Sequence, residues 1–429
     1  MVLFWHRRDL RTQDNAGLFA ALRKHKNVQP IFIFDQNILE DLKPNDQRVL
    51  FIHQHIQKLK QTYIQHGSDL LVFYGRPEEV FKTLTDEHTI EAVYTNRDYE
   101  PYAKSRDQAV ETYLEKKDIS FRSLKDHVIF ERNEVVKGDG TPYRVYTPYM
   151  RQWKNELTPF HLKAYPVEKY LGHLKPSYKS SSLLSLKEIG FEDKQIQAFP
   201  STEVDQKIIE NYHQTRDIPS VNGTTRMSVH LRFGTISIRA LFQQAKSNEK
   251  YYNELIWRDF YQMILDHFPA SADRSFKPQY DNIPWENNEH HFKAWCEGKT
   301  GYPIVDAGMR ELNATGFMHN RVRMIVASFL TKHLMTDWRF GEAYFAEKLL
   351  DYEMASNVGG WQWAASSGVD AQPYFRVFNP TSQQEKFDPD FKYIKKWVPE
   401  YGTKAYPNPI VEHKSARKRA IETYKSALS

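Results

Sequence analysis

Cysteine is almost absent: Cys296 stands alone among 429 residues. One thiol excludes an intramolecular disulfide and leaves no thiolate set for zinc or an iron–sulfur cluster, so a reducing cytoplasm is expected and no metal site is. Long apolar runs are missing as well. Stretches such as 324–330 fall well short of a membrane span. The N-terminus MVLFWHRRDLR sets its short apolar run before its arginines, the reverse of a secretory signal. No GxGxxG follows any strand-like run, which removes the fingerprint of a nicotinamide dinucleotide site. Neither sign of charge dominates: 59 Lys and Arg against 54 Asp and Glu give a net +5. That balance is compatible with a nucleic-acid partner without requiring one.

What is present suits two domains with real interiors. Hydrophobic residues make up 40% of the chain and aromatic residues 14%, including 9 Trp and 25 Tyr, enough for stacking surfaces as well as cores. Residues 2–5, 31–34, 70–74 and 92–95 read as short β-runs with helical patterns at 16–24, 47–66 and 78–86 between them. Such alternation predicts an α/β, doubly wound parallel sheet over 1–130. Ligands of these sheets lie beyond the strands' carboxyl ends, where Arg7, Arg8 and Arg11 cluster. Those arginines suit either a phosphate or local ion pairs. Residues 131–200 turn polar and irregular, with Gly138, Gly140, Pro142 and Pro148, and read as a connector. From 201 to 429 helical periodicity takes over, predicting an all-α domain whose pocket lies between helices.

Within that domain three stretches carry chemistry. Residues 212–228 bring Thr224, Thr225, Arg226 and Ser228 after an Asn-Gly turn, a set equally suited to a pyrophosphate or to ordinary capping. Glu254, Trp257 and Arg258 fall at i, i+3, i+4, so carboxylate, indole and cation share one helix face. Asn320, Arg321 and Met324 likewise share a face, with Arg323 directed elsewhere, toward Asp351 or Glu353. The densest stretch is 351–376, DYEMASNVGGWQWAASSGVDAQPYFR. Its Gly359–Gly360 step and the indoles Trp361 and Trp363 suggest a wall against a flat aromatic ligand.

Taken together, these stretches resemble the photolyase/cryptochrome family, and within it the class I cyclobutane pyrimidine dimer photolyases. The likeness runs from FWHRRDLR to about residue 399 and is densest in GKTGYPIVDAGMR, MHNRVRM, ASNVGGWQWAASSG and PYFRVFNP. It implies blue-light-driven splitting of pyrimidine dimers in DNA by electron transfer from reduced FAD. The implied flavin contacts are Tyr212, Thr224, Thr225, Arg226, Met227 and Ser228 on the phosphate side, and Asp351, Tyr352 and Glu353 beside adenine and ribose. Asn357 is implied to face flavin N5, where an amide can donate or accept. Trp361, Trp338 and Trp285 match the family's electron-transfer chain. Glu254, Trp257, Tyr261, Asn320, Met324 and Trp363 match the pocket for the flipped-out dimer, with Arg216, Arg258 and Arg321 on the DNA side.

The resemblance also implies a second, antenna chromophore. Tyr102 and Ala103 stand where folate-binding relatives carry an Asn-Glu pair, which leaves a deazaflavin, a flavin nucleotide or no chromophore there as alternatives. A (6-4) photolyase would carry His in place of Asn320 and Gln in place of Glu254. A photoreceptor cryptochrome is set apart by Asn357 and by the short basic C-terminal run. A monomer with dimer-containing DNA as partner, and no membrane, completes the expectation.

Overall fold

The computed structural model describes residues 1–429. The chain forms two compact units, each assembled from three segments. The first comprises Met1–Glu134, Glu156–Val204 and Arg226–Lys246; the second comprises Val135–Asn155, Asp205–Thr225 and Ser247–Ser429. The expectation drew three consecutive stretches, 1–130, 131–200 and 201–429. In the structure the polar connector is divided between the units, and residues 226–246 of the helical part belong to the first.

The first unit is built on five parallel strands, β1 (Val2–His6), β2 (Val28–Asp35), β3 (Leu71–Gly75), β4 (Ala92–Asn96) and β5 (Ser120–Leu124), in the order β3-β2-β1-β4-β5. Strands β1, β2 and β4 are buried throughout, as near-continuous apolar runs in a covered parallel sheet must be. β1 pairs with β2 from Val2↔Val28 and with β4 from Val2↔Ala92, so the winding reverses direction between β1 and β4. The apolar run 128–130 is buried without joining the sheet.

Helix Ala16–Lys24 starts where Asn15 accepts from Leu18 N at 3.0 Å. It lies so close to the sheet that a Cβ on Gly17 would stand 2.8 Å from both Asn96 Oδ1 and the Phe4 ring. Of the two readings for the N-terminal arginines, ion pairing describes the structure, but with partners far along the chain rather than local ones. Arg7 pairs with Asp107, Arg8 with Asp98 and Glu100, and Arg11 with Asp126.

The second unit is helical, and its interior gathers Trp295, Trp338 and Trp361 with Trp285 packed at the margin. Helix Met354–Ala365 packs against Glu249–His267, Asn320–Ser328 and Trp338–Lys348. The periodicity of 319–334 predicts one helix; the structure gives Asn320–Ser328 followed by a π-helical turn, Phe329–His333. The wider turn carries the buried Lys332, whose Nζ donates to Ser366 Oγ at 3.0 Å and lies over the Tyr424 ring. No helix is long and apolar enough to cross a membrane.

Candidate active site

Helix Glu249–His267 begins where Asn248 accepts from the Lys250 and Tyr251 amides, which sets the helix phase and so the direction of Trp257. Trp257 lies flat on Tyr146, ring centroids 3.6 Å apart and 6° between planes. Phe260 and Tyr261 complete the aromatic cluster at 5.6 and 5.5 Å. A stack of this kind contributes about 0.5–1.5 kcal/mol beyond burial and holds the indole as a fixed, half-buried plate. Tyr146 is itself fixed by donating to Asn253 O at 2.8 Å.

Beside the plate runs an alternating row of charges. Arg216 donates to Glu254 and lies 3.9 Å from Asp217, while Arg321 donates to Asp217 Oδ1 from Nη2 at 2.6 Å and from Nε at 3.1 Å. Arg321 also covers the Phe387 ring at 4.4 Å and donates to Met324 Sδ at 3.6 Å. Burial raises the pKa of Glu254, and the Arg216 charge opposes that rise without cancelling it. Asn320 is exposed at the start of its helix, capped by His319, which accepts from Arg321 N at 3.2 Å. Burial pushes His319 down to about 4, so it is neutral and suited to that accepting role.

Arg258 departs from its expected place on the DNA side. Its Nη2 donates to Glu353 at 2.8 Å, with both side chains a tenth exposed or less. A guanidinium so enclosed is held by the carboxylate rather than presented to phosphate. Glu353 also accepts from Ser356 Oγ at 3.1 Å, and Asp351 accepts from Arg323 at 3.0 and 3.1 Å, the partner its spacing suggested.

Helix Met354–Ala365 carries Asn357 and Trp361 one turn apart, with Trp363 half-buried beyond them. Asn357 Nδ2 donates to Glu342 O at 3.2 Å and to Glu342 Oε1 at 3.0 Å. Tyr352 donates to the same Oε1 at 3.3 Å. The two glycines differ. A Cβ on Gly359 would run into the Tyr261 ring, whereas Gly360 faces open space. Both sit inside the helix, so the pair allows close packing on one side only.

Trp361 is buried, edge-on to Phe345 at 5.0 Å and to Trp295 at 6.0 Å. Trp338 is buried in the same core, and Trp285 at its margin meets Tyr424 edge-on at 5.9 Å. Tyr212 meets Tyr251 edge-on at 5.1 Å, and Thr225 shares a 2.8 Å hydrogen bond with Tyr251. Thr224 lies half-buried beside it. Arg226, Met227 and Ser228 fall in the first unit, where Arg226 takes a left-handed φ of 55° and Met227 precedes the helix Ser228–Phe233.

Two family profiles match the chain: DNA photolyase over residues 2–168, and the FAD binding domain of DNA photolyase over residues 251–404. The deoxyribodipyrimidine photo-lyase of Synechococcus sp. is 39% identical, with 99% of this chain and 96% of that one covered. The chain belongs to the DNA photolyase family. Another member, the deoxyribodipyrimidine photo-lyase of Escherichia coli, is 35% identical over 99% of this chain and 98% of its own. Among solved structures, a bacterial class III photolyase from Agrobacterium tumefaciens superposes with a TM-score of 0.89 at 33% identity, covering 99% of this chain and 97% of that one. An archaeal photolyase from Sulfolobus tokodaii, solved with two FAD molecules, gives 0.85 at 35% identity with 99% of both chains covered.

Sequence reasoning did not single out Tyr146, Asp217, Trp295, Glu342 and Phe387, which the structure brings against Trp257, Arg321, Trp361, Asn357 and Arg321 respectively. Asp217 carried a signal, being the acid directly after Arg216. Tyr146 lies in a stretch whose polarity reads as connector, and nothing in its spacing points to Trp257. The residues present suit a flavin. Asn357 turns its oxygen away from two donated hydrogen bonds, Thr224 and Thr225 supply hydroxyls, and Asp351 is a carboxylate fixed by Arg323.

Proposed function

We propose that this chain is a deoxyribodipyrimidine photo-lyase that repairs cyclobutane pyrimidine dimers in DNA under blue light, in the cytoplasm and as a monomer. The observation that carries the reading is its similarity to proteins of that name along the whole of both chains, at 35 to 39% identity. In this reading the α/β domain, 1–130, houses a light-harvesting chromophore. The helical unit, Val135–Asn155, Asp205–Thr225 and Ser247–Ser429, holds FAD and the lesion. Tyr102 and Ala103 carry neither amide nor carboxylate, which disfavours a folate and suits a flavin-type antenna.

FAD, when bound, supplies the light-driven electron that opens the dimer and takes it back. The chain's own residues do the rest. Tyr212, Thr224, Thr225 and Asp351 hold the cofactor's polar parts, and Asn357 faces its central ring. Trp257, braced by Tyr146, and Trp363 offer apolar walls to the two fused bases of a dimer extruded from the helix. Extrusion costs least for a fused dimer, which stacks poorly. Arg216 and Arg321 exchange acidic side chains for phosphates. As Arg216 turns to phosphate, Glu254 loses the nearest cation opposing the rise that burial imposes on its pKa, and its carboxyl moves further toward the protonated form. A protonated Glu254 donates to a pyrimidine carbonyl, where an ionised one would repel it.

The test is repair of an oligonucleotide bearing one defined thymine dimer, with reduced FAD bound, in blue light and in darkness. Restoration in light alone is expected, and its absence would end the reading. Trp361, Trp338 and Trp285 form the proposed path for light-driven reduction of the flavin. Trp361→Phe is therefore expected to block photoreduction yet spare repair by chemically reduced protein.

A further inference from the structure

Helix Ala16–Lys24 borders a cleft of about 580 Å³ that plays no part in the flavin and lesion chemistry. Two rows of the helix line it, each stepping by one turn: Ala16, Ala20 and Lys24 in one, Phe19 and Arg23 in the other. The alanines leave room at the floor, and the charges gather in the last turn. The opposite wall is Tyr165, with Leu124 and Lys125 at the end of β5. All of these residues belong to the first unit. The cleft and Tyr102 sit on opposite sides of the sheet. A Cβ on Gly17 would run into the Phe4 ring, whereas helix Pro101–Glu115 packs Val110 and Leu114 with Leu3 and Trp5, on the other face.

Phe19 and Tyr165 meet with ring centroids 5.4 Å apart and 46° between planes. Tyr170 closes on Phe19 edge-on at 5.6 Å, and the Arg239 guanidinium lies over Tyr165 at 4.9 Å. The Tyr165 amide donates to Asp14 at 2.8 Å, so this ring is held from two sides. Both rings are half-buried and keep part of their surface toward the cleft. Three cations stand around them. Lys125 donates to Glu134 Oε2 at 2.5 Å, a pair open enough to solvent to change partners. Arg23 and Lys24 are exposed and pair with no acid. The helix dipole favours cations in a last turn, but it does not set an aromatic ring one turn before them.

We propose that this cleft is a second ligand site, for a nucleoside monophosphate. The base lies against Phe19 and Tyr165, and the phosphate, about 5.4 Å further along the helix, meets Arg23 and Lys24. Lys125, at the other end, donates to an acceptor on the base. The cleft has the size of a small-molecule site, roughly 300–1,000 Å³. A nucleic-acid strand needs cations spaced along a track, and here the two unpaired ones gather at one end of a nine-residue helix.

The test is calorimetric titration of AMP, UMP, adenosine and inorganic phosphate into the FAD-loaded full chain, for wild type, Ala20→Phe and the double variant Arg23→Gln/Lys24→Gln. The monophosphates should bind, with adenosine and inorganic phosphate each about tenfold weaker or more, since each fills half of the site. The double variant should weaken AMP about tenfold, and Ala20→Phe, which fills the cleft, should abolish binding. Flavin content should be the same in all three proteins. Failure of both monophosphates to bind below about 1 mM overturns the proposal. Binding that the double variant leaves unchanged overturns it too, as does inorganic phosphate bound as tightly as AMP. If Ala20→Phe does not fold, the double variant of two exposed residues decides alone. A short oligothymidylate that displaces AMP and binds more tightly would make the cleft a strand site and overturn the assignment to a small ligand.

Discussion

Two clusters of arginines and acids, one in each unit, use the same residue types to opposite ends. In the first unit Arg239 donates to Asp14 at 2.9 and 3.0 Å and to Asp126 at 2.8 Å, while Arg11 donates to Asp126 at 2.7 Å. None of these four side chains is more than a tenth exposed. In the second unit the Arg216–Glu254 and Arg321–Asp217 pairs are 18 to 41% exposed, and Asp217 lies within reach of both arginines. The first web is closed: every carboxylate oxygen of Asp14 and Asp126 has a fixed donor. The second is open, so its cations can change partners at small cost. Exposure, not charge, separates a cross-link from a binding surface.

The comparison breaks most visibly at Arg239. Arg239→Ala leaves Asp14 and Asp126 buried with too few donors, and should destabilise the protein by about 3–5 kcal/mol in urea denaturation. A loss no larger than that of a surface pair would show the web to be solvated and the contrast false. The two clusters should also titrate with opposite sign. Arg11 and Arg239 hold the Asp126 carboxyl well below the usual range against the penalty of burial. Its contribution is present above the unfolded pKa and is lost as pH falls below about 4. Glu254 is raised by burial, so its contribution is present below the unfolded pKa and is lost as pH climbs through the folded one. Asp126→Asn should flatten the acid side of the stability–pH curve and Glu254→Gln the side toward neutrality; a shared direction would refute the assignment.

Asp217 sharpens the comparison through binding rather than stability. As the shared acid of the open row, it neutralises two arginines that would otherwise attract any phosphate backbone. Asp217→Asn should leave stability within about 1 kcal/mol and tighten binding to undamaged duplex roughly tenfold at low salt. The slope of log affinity against log salt should steepen by about 0.9 for each arginine set free. Dimer-containing DNA should gain less, because there the arginines have already exchanged partners, so discrimination falls. Unchanged slopes in fluorescence-anisotropy titrations would mean that Asp217 orders the loop and does not restrain the arginines.

The contrast explains what the sequence could and could not tell. β1, β2 and β4 are buried on both faces and announce themselves as apolar runs, and the motifs around Asn357 and Trp361 are long enough to carry the family. Whether Arg7, Arg8 and Arg11 meet phosphate or carboxylate depends on Asp98, Asp107 and Asp126, about ninety or more residues away, which no local pattern reports. The same reason misplaced Arg258: its helix face is legible, but Glu353 reaches it only through the packing of Glu249–His267 on Met354–Ala365. Spacing along a helix tells which side chains look the same way, not what they find there.

At its smallest scale the difference between closed and open positions lies one residue apart on the central helix. Gly359 is closed, since the Tyr261 ring occupies the place a Cβ would take. Gly360 is open, with nothing within 4 Å of that place, and its helical backbone suits any residue. Alanine there removes the entropic cost of a mid-helix glycine, so Gly360→Ala should raise stability by about 0.5–1 kcal/mol in thermal unfolding of the flavin-free protein. If the space belongs to the cofactor or the lesion, the same variant should bind FAD or dimer-containing DNA more weakly despite its greater stability. A gain in stability with both affinities unchanged would make Gly360 a plain surface position, and leave Gly359 as the glycine of the pair that packing requires.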